Sequence, residues 1–287
     1  YEELFSFHKM TMFEMDLWMS LAYFIEQQVD YCIIEAGMGG RLDATTALDY
    51  QACLVTNVGL DHTEYLGNTF EQIAYEKSGI FKPNVPALTT EDKPECQKVM
   101  ELVADYMNTP LCFIDCQETD VLRWNGMTLH LNPPLYQAKN LSLALETLNV
   151  LGIWLEENEI QEVIDHFQWA GRFMVLRKAP LVLLDGAHNV HGITALTHSL
   201  KNFKGRIYFS VLKEKDAPHM IELLQTISKD ITLVEISSAR LYPLEKLGYP
   251  IITVDELISR LKDTKEDSLL CGSLYYVGEV LEKWGNV

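Results

Sequence analysis

The sequence predicts an α/β protein in two parts, and three observations carry that reading. Short apolar runs of strand length recur between stretches with helical spacing. Two of those runs end in polar groups and glycine, the pattern of strands whose carboxyl ends open onto a crevice. The length, 287 residues, exceeds one typical core. Alternation of this kind builds a mostly parallel sheet covered by helices.

In chain order, residues 10–27 form a helix, apolar on most faces and so expected to be buried. Strands follow at 31–35 and 52–58, a helix at 69–77, a short strand at 85–89, a helix at 93–106 and a strand at 111–114. Residues 122–130 hold Asn125-Gly126 between alternating segments, the strongest short hairpin signal. Helices at 141–151 and 159–166 close the first domain, residues 1–173. A second, smaller α/β pattern fills 174–287. Its strands lie at 181–184, 207–212, 231–236, 251–254 and 269–271, with helices at 192–200, 217–228, 254–261 and 274–284.

The net charge of −18 argues against nucleic acid and anionic membranes as partners. An acidic protein that handles anionic ligands must concentrate its positive charge locally, at Arg41, Lys77, Arg172 and a metal ion. Six scattered cysteines, none in a Cys-x-x-Cys pair, suit a reducing cytoplasm. Cys32, Cys53 and Cys271 lie in apolar runs and read as core thiols. No apolar run reaches the roughly 18 residues of a membrane span, and no secretory leader opens the chain.

The chemistry concentrates in a few motifs. Tyr31-Cys32-Ile33-Ile34 runs into Glu35-Ala36-Gly37-Met38-Gly39-Gly40-Arg41-Leu42-Asp43-Ala44-Thr45-Thr46. There a strand-end acid precedes a glycine loop whose backbone N–H groups can approach a ligand closely. Asp61-His62 ends the next strand, and Glu76-Lys77-Ser78-Gly79 ends a helix. Further on stand Gln137-x-x-Asn140, Trp169-Ala170-Gly171-Arg172, Asp185-Gly186-Ala187-His188-Asn189 and Gly272-Ser273-Leu274-Tyr275.

Together these resemble the folylpolyglutamate synthase/dihydrofolate synthase family of Mur-type amide ligases, from about Thr11 to the end. The resemblance implies a P-loop NTPase-like central domain, truncated here, followed by a Rossmann-like glutamate-ligase domain. It implies an ATP- and Mg²⁺-dependent enzyme that joins L-glutamate to a folate or to dihydropteroate through an acyl phosphate. Glu35 and His62 then correspond to the metal ligands, and Lys77 to a lysine carbamylated in this superfamily. Asn140, Arg172, Asp185 and His188 correspond to ATP contacts. Thr11, Phe13, Leu42, Asp43 and Ala44 correspond to the pterin side. The enzyme is expected to be a cytoplasmic monomer that acts on small molecules.

Plainer readings stand beside several of these. Lys77 is equally a helix-end cation facing the dipole. Asn140 is equally an N-cap for the helix at 141, and Asn189 caps the next. Thr11 with Glu14 makes a capping box, and Phe13 is then helix-start core. His191 lies outside the motif and reads as surface. At position 136 stands Tyr, where the family usually has His. No G-x-x-x-x-G-K-[ST] loop occurs in the sequence, so residues carrying one are expected outside it. The junctions at 132–136 and 237–241 are short for the family and are expected to lack loop residues. Two rival readings are a wall-peptide Mur ligase and a non-catalytic ligand-binding relic.

Overall fold

The structure is a computed structural model that describes residues 2–132 and 134–285. The chain divides into two compact units, Tyr1–Gln117 with Lys139–Trp154, and Glu118–Ala138 with Leu155–Val287.

The first unit opens with helices α1 (Glu2–His8) and α2 (Met12–Gln27). Thr11 caps α2 in a capping box: its Oγ1 accepts from Glu14 N–H, and Glu14 Oε2 accepts from Thr11 N–H at 2.7 Å. The apolar composition predicts a buried helix, but no residue of α2 is buried, and Met12 is 71% exposed. Apolar side chains on most faces outnumber the neighbours available to cover them; α1 supplies one such contact, Phe5 edge-on to Trp18.

The strand expected at 31–35 is not formed. A strand exists through its ladder partners, and among the described residues none pairs with this segment, which leaves Ile33 94% exposed and Cys32 exposed rather than in a core. The remaining strands of the unit are short: β1 (Cys53–Val55), β2 (Ala87–Thr89) and β3 (Leu111–Phe113), parallel in that order. Helices α3 (Thr63–Leu66), α4 (Phe70–Ser78) and α5 (Pro94–Met107) follow the first two strands. Ile73, Ala74, Phe81, Cys96, Met100 and Ala104 close a small core against Cys53, Val55 and Ala87.

The second unit begins with the hairpin β4 (Val121–Trp124) and β5 (Met127–His130), turned at Asn125 and Gly126, both with positive φ as a type I′ turn requires. Helix α6 (Gln137–Val150) runs across the division between the units, and α7 (Glu157–His166) packs on β5. Gln161 fastens that contact by accepting His130 N–H and donating to its carbonyl, both at 2.9 Å. The sheet proper comprises β6 (Met174–Lys178), β7 (Leu181–Asp185), β8 (Arg206–Phe209), β9 (Ile231–Glu235), β10 (Ile251–Thr253) and β11 (Ser268–Cys271). Its order is β10-β9-β8-β11-β7-β6, parallel except for β6 against β7. Helices α8 (Val190–Ser199) and α9 (Ala217–Leu224) bury one face. Helices α10 (Val254–Asp263) and α11 (Leu274–Trp284) bury the other. This is the doubly wound arrangement, whose ligands bind beyond the strands' carboxyl ends.

Candidate active site

In the first unit the glycine loop folds back onto the end of α4. Arg41 N–H donates to the Glu76 carbonyl at 2.7 Å. A Cβ on Gly40 would come within 2.8 Å of the Lys77 carbonyl, and one on Gly79 would overlap the Cα of Arg41. Two backbones therefore meet where only glycine fits, and the loop lies against the turn that carries Lys77. Asp43 organises the loop from within. One of its oxygens accepts Gly37 and Met38 N–H at 2.9 and 3.0 Å, and the other accepts Thr45 N–H and Oγ1 at 3.0 and 2.7 Å. Burial pushes the Asp43 pKa up, but these donors outweigh it and hold the group below its ordinary value.

Lys77 is partly buried, and two carboxylates act on it, Asp61 and Glu35. Burial lowers its ammonium pKa, and the two negative charges pull it back only in part. Glu35 itself is exposed. His62 sits at the N-cap of α3 with φ of 50°, exposed, its N–H donated to Asp61 Oδ1 at 2.9 Å. Asp61 and Glu35 are thus the two acids whose charge reaches Lys77, and His62 is one residue from Asp61. Asp61 is the member that sequence reading did not single out, although it stands beside His62 in the motif. Arg41 does not supply the free positive charge expected of it. Its guanidinium closes on the Glu76 carboxylate at 2.9–3.2 Å and stands over the Tyr75 ring.

Among the described residues no group of three or more His, Cys, Asp or Glu side chains is placed to hold a metal ion. The donor set nonetheless fits magnesium, which prefers oxygen and usually takes one or two carboxylates, with phosphates and water completing its shell. Glu35 and His62 are the residues that would hold it.

Thr11 is engaged in the α2 capping box. The Phe13 ring covers Gly37, where a Cβ would lie 2.8 Å from Cε2. Leu42 is 81% exposed and Ala44 begins a short 3-10 turn (Ala44–Ala47). Phe13, Leu42, Asp43 and Ala44 thus belong to the glycine loop or touch it. Asn140 lies inside the first turn of α6 and not at its N-cap, because the helix starts at Gln137 and not at 141 as expected.

In the second unit Asp185 ends β7 and is buried. It accepts Phe173 N–H and Ala187 N–H, each at 2.7 Å. Burial raises its pKa against those two bonds and the nearby charges of Arg172 and His188. Gly171 carries Arg172 to this strand end: its φ is 72° and its carbonyl accepts Gly186 N–H at 2.7 Å. His188 Nδ1 lies 2.8 Å from the Gly186 carbonyl, which assigns the proton to Nδ1 and leaves Nε2 out of that bond. Asn189 caps α8, accepting Gly192 N–H at 2.8 Å, and His191 is exposed. Tyr136 joins this cluster unexpectedly. Burial drives its phenol pKa upward, Asp185 adds to the shift, and Arg172 opposes it. Arg172 and His188, placed by the sequence reading on opposite sides of a boundary at 173, both belong to the second unit.

Residues 4–132 match the Mur ligase middle domain. The dihydrofolate synthase/folylpolyglutamate synthase of Escherichia coli (strain K12) is 31% identical over 300 residues, spanning 95% of this chain and 69% of that one. E. coli FolC solved in complex with ADP superposes with a TM-score of 0.82 at 28% identity, over 96% of this chain and 72% of that chain. A bifunctional folylpolyglutamate synthase/dihydrofolate synthase with Mn, AMPPNP and L-glutamate bound superposes with a TM-score of 0.83 at 26% identity, over the same 96% and 72%. These agreements in motif, fold and sequence establish that the chain belongs to the dihydrofolate synthase/folylpolyglutamate synthase family of ATP-dependent glutamate ligases.

Proposed function

We propose that this chain joins L-glutamate to a folate, to dihydropteroate, or to both, with its metal centre at Glu35, His62 and Lys77. The observation that carries the reading is the packing of the glycine loop onto the helix end that bears the partly buried Lys77, with Arg41 N–H on the Glu76 carbonyl at 2.7 Å; the charges of Asp61 and Glu35 act on that lysine. ATP supplies the phosphoryl group that activates the acceptor's carboxyl, and a magnesium ion the charge that steadies its phosphates.

The chain's own residues fall into three tasks. Glu35 offers a hard oxygen donor and His62 a nitrogen. Lys77, its ammonium disfavoured by burial, is predisposed to carry a carbamate, which would turn a cation into a further anionic group beside the metal. Arg172, Asp185 and His188 form one cluster at the carboxyl end of β7, suited to a nucleotide's ribose and phosphates. Asn140 is assigned to the nucleotide as well, and Phe13 with Thr11, Leu42, Asp43 and Ala44 to the pterin. The functional domains are proposed as 1–173 and 174–287, and the enzyme as a cytoplasmic monomer. No helix among the described residues is long and apolar enough to cross a membrane.

The test is incubation with MgATP, L-glutamate and either dihydropteroate or tetrahydrofolate, read by mass spectrometry. The expected product is heavier by one glutamyl residue, with phosphate released in equal amount. Phosphate release without a glutamylated product from either acceptor would remove the folate assignment.

A further inference from the structure

Three residues assigned to the pterin, Leu42, Asp43 and Ala44, lie between two anchored points of the glycine loop. On the far side Tyr50 Oη donates to the Thr45 carbonyl at 2.7 Å, and Lys82 Nζ donates to the Thr46 carbonyl. Thr46 Oγ1 in turn donates to the Gly40 carbonyl at 2.5 Å and closes the loop on itself. On the near side the anchor is Glu76. Its carbonyl accepts Arg41 N–H at 2.7 Å. Its carboxylate accepts Arg41 Nε at 3.1–3.2 Å and Nη2 at 2.9 Å. The same guanidinium stands 5.6 Å from the centre of the Tyr75 ring.

The Glu76 side chain is only 17% exposed, so the pair is drawn partly off the open surface. A guanidinium held on one carboxylate by two of its nitrogens, with a ring beneath it, is oriented as a single surface contact would not orient it. Leu42 needs such a fixture. It is 81% exposed and has little packing of its own to place it. Its position follows from Arg41 on one side and Asp43 on the other. Asp43 works within the loop, through Gly37, Met38 and Thr45. Glu76 acts from α4, 35 residues away, and ties the loop to the body of the unit.

We propose that Glu76 is a positioning residue for the acceptor: its carboxylate grips Arg41 and thereby holds Leu42, Asp43 and Ala44 where the pterin meets them. The proposal rests on the assignment of those three residues to the pterin. A loop already in its binding shape loses less freedom on association, so loss of the grip is read as lost acceptor affinity with nucleotide affinity kept.

The test is isothermal titration of the full chain with dihydropteroate, and separately with tetrahydrofolate, at saturating AMPPNP and well below the melting temperature. Glu76→Met fills the space without accepting a hydrogen bond, Arg41→Met removes the guanidinium, and Glu76→Gln keeps one acceptor. Either Met variant should bind the acceptor about tenfold more weakly, as loss of a hydrogen bond between charged groups implies, with AMPPNP affinity within about twofold of wild type. The double variant should bind no more weakly than the worse single one, because both substitutions break the same contact. Glu76→Gln should recover part of the loss. Leu42→Ala tests the pterin assignment separately and should also weaken acceptor binding. Wild-type acceptor affinity in folded Glu76→Met, losses that add in the double variant, or an equal loss of AMPPNP affinity, alongside a loss in Leu42→Ala, overturns the proposal and leaves the pterin assignment standing. Wild-type affinity in Leu42→Ala, or no acceptor binding by the wild-type chain, overturns that assignment, and the proposal with it.

Discussion

Lys77 sets burial against charge, and the balance gives its pH dependence a definite sign. Its folded-state pKa lies below 10.5 because burial outweighs Asp61 and Glu35. Between that lowered value and 10.5 the unfolded chain binds more protons than the folded one, so stability rises with pH across the window. In bicarbonate-free buffer, Lys77→Met should therefore have a urea midpoint at pH 7 at least equal to wild type, with the difference shrinking as the pH approaches 10. A lower midpoint at pH 7 would mean that the carboxylates win and the lysine is a stabilising cation. Ligation answers separately: Lys77→Ala should lose turnover, and added short carboxylates should restore part of it by standing in for a carbamate. Glu35→Gln should cost about 10²-fold in turnover with the fold intact, since metal charge stabilisation is worth several kcal/mol; wild-type turnover at limiting Mg²⁺ would remove Glu35 from the metal. Lys77, His62 and Asp185 stand at helix or strand ends, where local pattern marks them; Glu35 does not, since residues 31–35 form no strand. The buried Glu91 was not legible, because Thr89-Thr90-Glu91-Asp92-Lys93 reads as a polar loop and only tertiary packing encloses its acid. Arg41 was legible as a cation, but its closure on Glu76, 35 residues away, has no local signal.

Elements were legible where an internal pattern specified them and illegible where a partner did. The capped helices α4, α5 and α10 and the hairpin at Asn125-Gly126 declare themselves by caps, periodicity and turn chemistry. Residues 31–35 carry a strand's composition without a ladder partner among the described residues, so the pattern has nothing to act on. Strand β6 shows the converse. Met174–Lys178 mixes apolar and basic residues beside an expected boundary, and it becomes a strand because β7 offers an antiparallel edge. The junction of the glycine loop with α4 is the element contact on which the site depends, and glycine makes it possible. Gly79→Ala should force the Arg41 backbone off the helix end, costing about 1–3 kcal/mol as overpacking does and weakening metal binding with it. Gly278→Ala, where a Cβ meets nothing within 4 Å, is the control and should melt within a degree or two of wild type. Equal melting temperatures for the two variants would show that the loop does not rest on α4 in solution.

At the scale of the whole chain the two units differ in how much they bury. The second has a six-stranded sheet with an apolar core on each face. The first has three strands of three residues, one small core, and a long helix with nothing buried. Local stability follows buried apolar contact, so the units should open at different free energies. Native-state hydrogen exchange is expected to give the slowest amides in β7, β8 and β11, the centre of the larger sheet, and earlier exchange throughout α2 and β1–β3. Helix α6 crosses the division and should split, residues 139–150 exchanging with the first unit. Lys77 and the carboxylates that act on it then lie in the weaker unit, so a metal ion bound there, as proposed, should slow exchange at 53–89 far more than in β9 and β10. Equal exchange of the two units in the absence of ligand would show that the chain opens as one cooperative body and that its stability is not divided as its cores are.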